Sequence, residues 1–582
     1  MPDAPPPNET PTAPDAPGPD TTHPTSHIPH QKSFLHHATT VAALTLASRL
    51  TGLARDAVLA AAFGLGLVAD AFFLGFLVPN LFRRLFGEGA LTAAFIPNYT
   101  TLRQADPAAA ARFAKLCVAG LAAVTGILVL LGELAVFLLM QHDGWSEKGQ
   151  LALLYTALML PYLPLVCGVA FLAAVLQVHG RFGPGAAAPV LLNLAMIAAA
   201  TLGIATAADQ PHAATYIAAA VVAAGLGQLA WLFLTTRQHL TAGGPGFAHT
   251  KAPLKKTALM LGPMLLGLAV FQLNALFDAL LAFFLAPPSP DQTTTTLAGY
   301  TFDAPVQTGA VAALQWAQRL YQFPLGVFGI ALATAIFPAL AAAAASQSPQ
   351  KPKDSVGSPP QTSPLKPQPA FLPTLHQGLR LTAFIAVPAS VGLLLVREPL
   401  TAVIYQRGQF TDADTARVAA IVAGYALAVW AYAFMHLLTR AFYALHDAKT
   451  PLRVSLAAVA LNLALNLTLI WPLGTPGLAL STAIAAIFQA LFLTYLLKRK
   501  LGQSVLAPDV LQSFARTLVA SACMAAAVFA IVLAFDVNGL ATSLFTLLTA
   551  TASGILIYAA VVKLLRMPEL TWLLRRQLPN TD

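Results

Sequence analysis

The sequence is poor in charged residues. Only 10% of its 582 residues are Asp, Glu, Lys or Arg, whereas 57% are hydrophobic, and the mean hydropathy is +0.68. Soluble globular proteins carry about 25% charged residues, so this composition excludes a soluble fold. Apolar runs of about 20 residues recur, each long enough to cross a bilayer core of roughly 30 Å, and they lack the alternation typical of barrel strands. We therefore predict an all-α, polytopic membrane protein.

Cysteines and catalytic motifs are also scarce. The three cysteines, Cys117, Cys167 and Cys523, each lie inside an apolar run, which argues against a disulfide framework or a cysteine metal site. The sequence contains no GxxxxGK[ST], GxSxG, HExxH or CxxC pattern, so ATP hydrolysis through a P-loop is excluded. We predict a transporter rather than an enzyme, without an organic cofactor, driven by an ion gradient or the membrane potential.

The net charge of +9 reflects basic residues that are scattered in short loops, which argues against nucleic acid as a partner. We predict about fourteen spanning helices between residues 41 and 565. Basic residues concentrate in the even-numbered loops, and the exceptions in the odd-numbered loops are Lys148, Arg407 and Arg417. The positive-inside rule then places both termini in the cytoplasm.

Four segments follow from the helix count and the composition. Residues 1–38 are predicted to be a disordered, Pro-rich cytoplasmic tail, because they contain almost no large apolar residues and no signal-peptide pattern. Residues 39–240 form a first lobe of six helices. Residues 241–500 form a second six-helix lobe, with an external loop at 287–308 and a linker at 345–375. Residues 501–582 contain two extra helices and a cytoplasmic tail.

Short patterns recur in the two halves. The spacing of Ala90-Leu91, Ala94 and Pro97 returns as Ala331-Leu332, Ala335 and Pro338. His179 precedes Pro184 as His446 precedes Pro451. The shared order indicates a tandem repeat, which is one known layout of transporters.

Five arginines interrupt the predicted spans: Arg49, Arg55, Arg83, Arg84 and Arg319. An arginine at the centre of a spanning helix costs about 2.5–3.5 kcal/mol on insertion scales, so these side chains should face protein or a water-filled cavity. They outnumber the nearby acids, and a planar guanidinium binds phosphate through paired hydrogen bonds. We predict that Arg49, Arg55, Arg83 and Arg319 bind a pyrophosphate or sugar-phosphate group.

Local ion pairing is the alternative explanation for these charges. Arg84 and Glu88 are four residues apart on one helical face, and Arg55 is followed directly by Asp56. Against this alternative, cations exceed anions here, and Arg49, Arg55, Arg83 and Arg319 have no evident one-to-one partners in the sequence.

Several motifs resemble one family over residues 38–566. They are SRLTGLARD at 48–56, DAFF from Asp70, PNLFRRLFGEGA at 79–90, AQRLYQFPLGVFGIAL at 317–332, RGQFT at 407–411 and HDAKTP at 446–451. The chain resembles the MurJ (MviN) family of lipid II flippases, within the superfamily of multidrug, oligosaccharide-lipid and polysaccharide exporters. The resemblance implies a V-shaped pair of six-helix lobes around a cationic cavity. It also implies a hydrophobic groove, made with the last two helices, for a polyprenyl tail.

The resemblance further implies the substrate and the route. The undecaprenyl-pyrophosphate-linked disaccharide-pentapeptide (lipid II) would move from the cytoplasmic to the periplasmic leaflet of the bacterial inner membrane by alternating access. Membrane lipids and cell-wall synthesis proteins are the expected partners. The family's essential arginines match Arg49, Arg55, Arg83 and Arg319, and its essential acids match Asp70 and Glu88. We predict that Asp70, Arg84 and Glu88 form gating contacts or ion pairs.

Some family members contain a sodium site between helices 7, 11 and 12. The matching residues here are Asp278 (or Asn274), Asn462, Asn466 and Thr482. Asn466 stands where a carboxylate would bind a cation more strongly, so polar packing between the helices is the alternative.

Two other functions compete with lipid II transport. A related exporter could carry another polyprenyl-linked glycan or drugs, although a transporter of cationic drugs needs an acidic cavity. A non-transporting scaffold would tolerate neutralisation of the intramembrane arginines.

Overall fold

The structure is a computed structural model of the chain. It describes residues 29–85, 91–241, 248–297, 299–326, 331–345, 371–535 and 539–575. The predicted ion-pair residue Glu88 and residues 346–370 of the predicted linker lie outside these ranges. So do residues 1–28 of the predicted tail.

The described residues form helices and one two-stranded sheet. The elements are α1 (Pro29–Phe63), α2 (Leu67–Leu85), α3 (Leu91–Ala105), α4 (Pro107–Met140), α5 (Glu147–Met159), α6 (Tyr162–Val178), α7 (Gly183–Ala205), α8 (Gln210–Leu240), α9 (Ala248–Phe284), β1 (Thr294–Leu297), β2 (Tyr300–Asp303), α10 (Ala310–Pro324), α11 (Ala331–Ala345), α12 (Phe371–Tyr405), α13 (Asp412–Ala426), α14 (Val429–Ala444), α15 (Lys449–Leu473), α16 (Thr475–Leu501), α17 (Pro508–Ala534), α18 (Leu540–Leu564) and α19 (Pro568–Arg575).

The helices confirm the predicted fold class. Among the described residues, nine helices are long and apolar enough to cross a membrane, or ten if α5 and α6, which are bent by 41°, form one span. The most apolar window of α4 is only 11% buried inside the protein. An apolar surface that is this exposed is stable only against lipid.

Each predicted span corresponds to one described helix or to two described helices that follow each other in the chain. The pairs α2–α3 and α5–α6 in the first half correspond to α10–α11 and α13–α14 in the second. The predicted His-to-Pro repeats lie in or beside the turns between α6 and α7 and between α14 and α15. The turns between α5 and α6 and between α13 and α14 lie at matching positions of the predicted tandem repeat.

Helix α1 begins earlier than the sequence predicts. We expected the tail to continue to residue 38, but the helix starts at Pro29. Proline is tolerated at the first position of a helix, where its missing N–H has no intrahelical partner to lose. Residues 30–38 contain no further proline to stop the helix.

The predicted external loop at 287–308 contains an antiparallel hairpin. Thr294 pairs with Asp303 and Leu297 pairs with Tyr300. β-branched and aromatic residues favour strands, and this loop has four consecutive threonines at 293–296 in one strand region and Tyr300 and Phe302 in the other, with Thr295 opposite Phe302. Phe302 packs on Trp471 of α15, with ring centres 5.5 Å apart. We call the end of the molecule that carries this hairpin the hairpin end.

The hydrophobic core is shared at the hairpin end and divided at the opposite end. One cluster joins residues from both predicted lobes, including Phe63 and Phe72 of the first and Trp316 and Tyr405 of the second. Two other clusters have their buried residues in one lobe each, one around Phe95 and Phe171, the other around α11, α14 and α16. Leu254 and Leu261 of α9 also pack against the first of these. The two lobes therefore share a core at the hairpin end, and towards the other end α9 still contacts the first lobe, where Asn98 Nδ2 donates to Thr257 Oγ1 at 2.9 Å.

Helices α17 and α18 lie beside the second lobe. They pack against each other and against α12. The Tyr558 hydroxyl of α18 donates a hydrogen bond to the Phe384 carbonyl of α12 at 2.6 Å.

Candidate functional site

A cavity of about 760 Å³ lies between the lobes. The four predicted ligand arginines all line it, together with Arg84 and one carboxylate, Asp56. Val41, near the start of the predicted first span, and Phe182, in the turn between α6 and α7, line it as well, so the cavity extends away from the hairpin end. Among the described lining residues, five cations thus face a single acid.

Asp56 pairs with two of these arginines. Its Oδ1 receives hydrogen bonds from Arg55 Nε at 2.9 Å and Arg55 Nη2 at 2.6 Å. Its Oδ2 lies 3.0 Å from Nε of Arg319 on α10. The sequence offers Arg319 no one-to-one acidic partner, and the fold brings α10 onto α1, so that Arg319 shares Asp56 with Arg55. The Asp56–Arg319 ion pair connects the two lobes across the cavity.

Asn193 of α7 positions Arg55 from the other side. Its Oδ1 accepts from Arg55 Nη1 at 3.1 Å, and its Nδ2 donates to the carbonyl of Ser48 and to Oγ1 of Thr51. Arg55 and Asn193 are 7% and 5% exposed. The sequence analysis did not predict a role for Asn193. The single amide side chain inside the apolar run LLNLAM could have indicated it.

Arg83 and Arg84 occupy the cavity side of α2. Arg83 Nε donates to Oδ1 of Asn80 at 2.9 Å, and Arg84 Nη1 donates to Oε1 of Gln272 on α9 at 3.4 Å. Arg83 and Arg319 both lie close enough to Arg55 for their like charges to repel. An anion in the cavity would relieve this repulsion.

Arg49 crosses from the first lobe to the end of α10. A Cβ atom added at Gly326 would collide with the Arg49 guanidinium, so the arginine occupies the space that a side chain at 326 would need. Arg49 itself is exposed to the cavity.

We expect Gly326→Ala to displace Arg49 and to weaken the binding of a polyprenyl pyrophosphate about tenfold, the effect of losing about one charged hydrogen bond. The guanidinium is the flexible end of a long side chain, so the melting temperature should change little. Gly392→Ala is the matched control, because a Cβ at Gly392 meets no atom within 4 Å. Equal affinities of the two variants would show that the position of Arg49 does not affect binding.

Two glycines allow the backbones of the lobes to meet at the hairpin end. Gly64 (φ 54°) and Gly408 (φ 57°) both adopt left-handed conformations. A Cβ at Gly64 would collide with the Gln409 carbonyl oxygen, and one at Gly408 with the Ala61 carbonyl oxygen. The Gln409 amide donates to the Ala61 carbonyl at 2.9 Å. The RGQFT motif therefore forms the seam that closes the cavity at this end.

Asp70 lies in the same closed end and contacts backbone amides. It is fully buried, and its carboxylate accepts from the Gly309 amide at 2.8 Å and from the Ala312 amide at 3.1 Å. These amides are at the N-terminal end of α10, where a negative charge is favourable. Asp70 thus ties α2 of the first lobe to α10 of the second. The structure places it at the seam and away from the arginine cluster.

The predicted sodium-site residues form one ring of polar contacts. Nδ2 of Asn466 donates to Asp278 at 2.6 Å and to Oδ1 of Asn462 at 2.9 Å. Nδ2 of Asn462 donates to Thr482 at 3.1 Å, and Oγ1 of Thr482 lies 3.4 Å from Asp278. Oδ1 of Asn466 is buried without a hydrogen-bond partner. All four side chains carry an oxygen atom that could bind a metal ion, and Oδ1 of Asn466 is free of hydrogen bonds from the described residues. This set of ligands fits a hard monovalent cation.

Comparison with known proteins identifies the family. A family model described as "Lipid II flippase MurJ" matches residues 59–551. A relative from Rhizobium tropici, "Probable lipid II flippase MurJ", is 32% identical over 90% of this chain and 91% of its own. Another from Burkholderia cenocepacia, "Lipid II flippase MurJ", is 28% identical over 90% of this chain and 95% of its own.

Solved structures show the same fold. The structure "Lipid II flippase MurJ, inward closed conformation" matches with a TM-score of 0.69 at 22% identity, over 90% of this chain and 98% of the other. An inward-facing multidrug resistance MATE family transporter of the MOP superfamily matches with a TM-score of 0.59 at 15% identity, over 80% and 98% of the two chains. These matches confirm the predicted helical transporter fold. The extent of the family match, and the relative that is 32% identical over nine tenths of both chains, show that this chain belongs to the family of MurJ lipid II flippases.

Proposed function

We propose that the protein moves lipid II from the cytoplasmic to the periplasmic leaflet by alternating access, with the pyrophosphate held in the arginine cavity. The observation that supports this most directly is the convergence of five arginines and one described acid on one cavity between two lobes. Guanidinium groups remain charged and match the geometry of phosphate oxygens. The family membership supplies the substrate class.

The loop charges support the orientation. Arg103 and Arg181 lie at the end opposite the hairpin, and basic loops favour the cytoplasmic side. With that end in the cytoplasm, both termini are cytoplasmic. The cavity then opens inward while the seam at Gly64 and Gly408 closes the periplasmic end.

Substrate binding would act on the contact between the lobes. A pyrophosphate in the cavity competes with Asp56 for Arg319, because both are oxygen anions that accept from the same guanidinium. Weakening the Asp56–Arg319 pair loosens one of the links between α1 and α10. Binding of the substrate would thereby change the free-energy difference between the two lobe arrangements.

Asp70 and Arg84 are the proposed gating residues that the structure describes. Outward opening would break the hydrogen bonds from Gly309 and Ala312 to Asp70, and closing the cytoplasmic side would rearrange the contact between Arg84 and Gln272. Glu88 stays a prediction of the sequence. The polyprenyl tail of the substrate would lie on the surface of α12, α17 and α18. Cell-wall synthesis proteins remain expected partners.

Export of another polyprenyl-linked glycan is the second candidate, because the same pyrophosphate chemistry would suit the cavity. Five arginines disfavour cationic drugs by direct repulsion.

Complementation of a bacterium depleted of its own flippase tests the proposal. We expect the wild-type chain to restore growth, and purified protein in vesicles to make fluorescent lipid II accessible in the opposite leaflet. The control is a polyprenyl phosphate glycan without pyrophosphate, which should move poorly. A membrane-inserted protein that fails with lipid II but moves another polyprenyl glycan would establish the second candidate.

We further propose that the ring of Asp278, Asn462, Asn466 and Thr482 binds sodium. Sodium should then stabilise the wild type by about 1.4 kcal/mol at a concentration ten times its Kd, and Asp278→Asn should abolish this effect because it removes the only carboxylate of the ring. Thermal unfolding in NaCl and in KCl measures the difference, with Asp291→Asn in the exposed hairpin loop as the control. An equal response to both salts would favour polar packing.

A further inference from the structure

Lys148, at the start of α5, is held by the end of α9. The residue is only 3% exposed. Its Nζ donates to the carbonyl oxygens of Phe283 at 2.7 Å, Ala286 at 3.0 Å and Pro287 at 3.1 Å, and it lies 4.6 Å from the centre of the Phe283 ring. An ammonium group has three hydrogen-bond donors, so all of them are used.

The three acceptors explain why a buried lysine is stable here. Phe283 is in the last turn of α9, where carbonyls lack intrahelical partners and carry partial negative charge, and Ala286 and Pro287 follow the end of the helix. A buried ammonium without such partners would be strongly unfavourable. The charged ammonium group of Lys148 is therefore stabilised in two environments, either by the carbonyl oxygens at the end of α9 or by water.

Lys148 is also one of three basic residues that break the loop-charge pattern. In the structure all three donate to backbone carbonyls at the hairpin end: Arg407 to Val403 and Ile404, Arg417 to Thr308, and Lys148 to the end of α9. The two arginine contacts stay within the second lobe. The Lys148 contact joins α5 of the first lobe to α9 of the second.

The contact of Lys148 with the end of α9 and the contact of Asp70 with the start of α10 have opposite charges. The hairpin lies between the C-terminal end of α9 and the N-terminal end of α10. The first lobe presents a cation to the negative helix end and an anion, Asp70, to the positive one. The two side chains also lie close enough for their charges to attract each other.

We propose that Lys148 is a positioning residue for transport, a second interlobe latch that holds the periplasmic end closed and that must release α9 before this end can open. In the closed state its ammonium has three carbonyl partners, and in the open state it is hydrated. Its removal destabilises the closed state selectively. The inference rests on the proposed alternating access, but its test requires no substrate.

The experiment measures opening of the hairpin end by double electron–electron resonance in lipid nanodiscs. Nitroxides are attached through Asp143→Cys in the exposed α4–α5 loop and Ala413→Cys in the exposed first turn of α13, after replacement of the three native cysteines. Lys148→Met keeps the length of the side chain and removes the charge. We expect it to raise the ratio of long to short distances about tenfold, and Lys148→Gln, which retains donors, to raise it less.

Lys251→Met, in the exposed first turn of α9, is the matched control and should leave the distances unchanged. Lys148→Arg should restore most of the closed population. If Lys148→Met does not reach the membrane, the distances measured in Lys148→Gln test the proposal instead. Unchanged distances in whichever variant folds would overturn the latch, and they would do so whether or not the protein transports lipid II.

Discussion

Replacing Asp56 with alanine is expected to abolish transport and to reduce the yield of folded protein. Asp56 is 2% exposed. It accepts hydrogen bonds from Arg55 and forms an ion pair with Arg319. Removing one partner of a buried ion pair typically costs 3–5 kcal/mol, because an uncompensated charge is left in a medium that solvates it poorly. Complementation of a flippase-depleted strain measures transport, and size-exclusion chromatography of the solubilised protein measures the folded yield.

Asp56→Asn separates folding from function. The amide keeps the shape and one acceptor oxygen, so more protein should fold than with alanine, yet the link between α1 and α10 loses its charge. We expect folded but inactive protein. Asp143→Asn, in the exposed α4–α5 loop, is the control and should behave as the wild type. Normal growth with Asp56→Asn would contradict a role for this charge in the cycle.

The arginine cavity could be predicted from the sequence because charge within apolar runs is a strong physical signal. A cation that cannot face lipid must face a cavity, and all four predicted ligand arginines line one. The double role of Asp56 could not be predicted in the same way. Its contact with Arg319 joins residues far apart in the chain, and no spacing rule indicates that α1 meets α10.

The contacts of Asp70 and Lys148 escaped prediction for a different reason. Their partners are backbone amides and carbonyls, which every residue possesses and which leave no signal in residue type. The charge pattern did mark Lys148 as an exception to the loop rule, but only the fold shows that α9 ends beside it. The hairpin at 294–303 was missed because each of its strands has only four residues, and the sequence predicted 287–308 only as an external loop.

Replacing Arg83 with alanine is expected to abolish complementation without loss of folded protein. Arg83 is half-buried and lines the cavity, and its Nε donates to the neutral Asn80, so we expect water to fill the space that the alanine leaves. A hydrogen bond to a charged group contributes about 1.5–3 kcal/mol. The affinity for a polyprenyl pyrophosphate should therefore fall roughly ten- to a hundredfold for each such bond that is lost.

Arg83→Lys discriminates charge from geometry. Lysine keeps the positive charge but cannot form the planar, paired hydrogen bonds of a guanidinium, so affinity and growth should be intermediate. Arg237→Ala, an exposed position at the end of α8, is the matched control and should bind as the wild type. If Arg83→Ala bound polyprenyl pyrophosphate as tightly as Arg237→Ala, the arginine would have a structural role, and the excess of positive charge would require another explanation. If Arg83→Lys matched the wild type, the cavity would act through its net charge, and a single point cation at this position would be sufficient for binding.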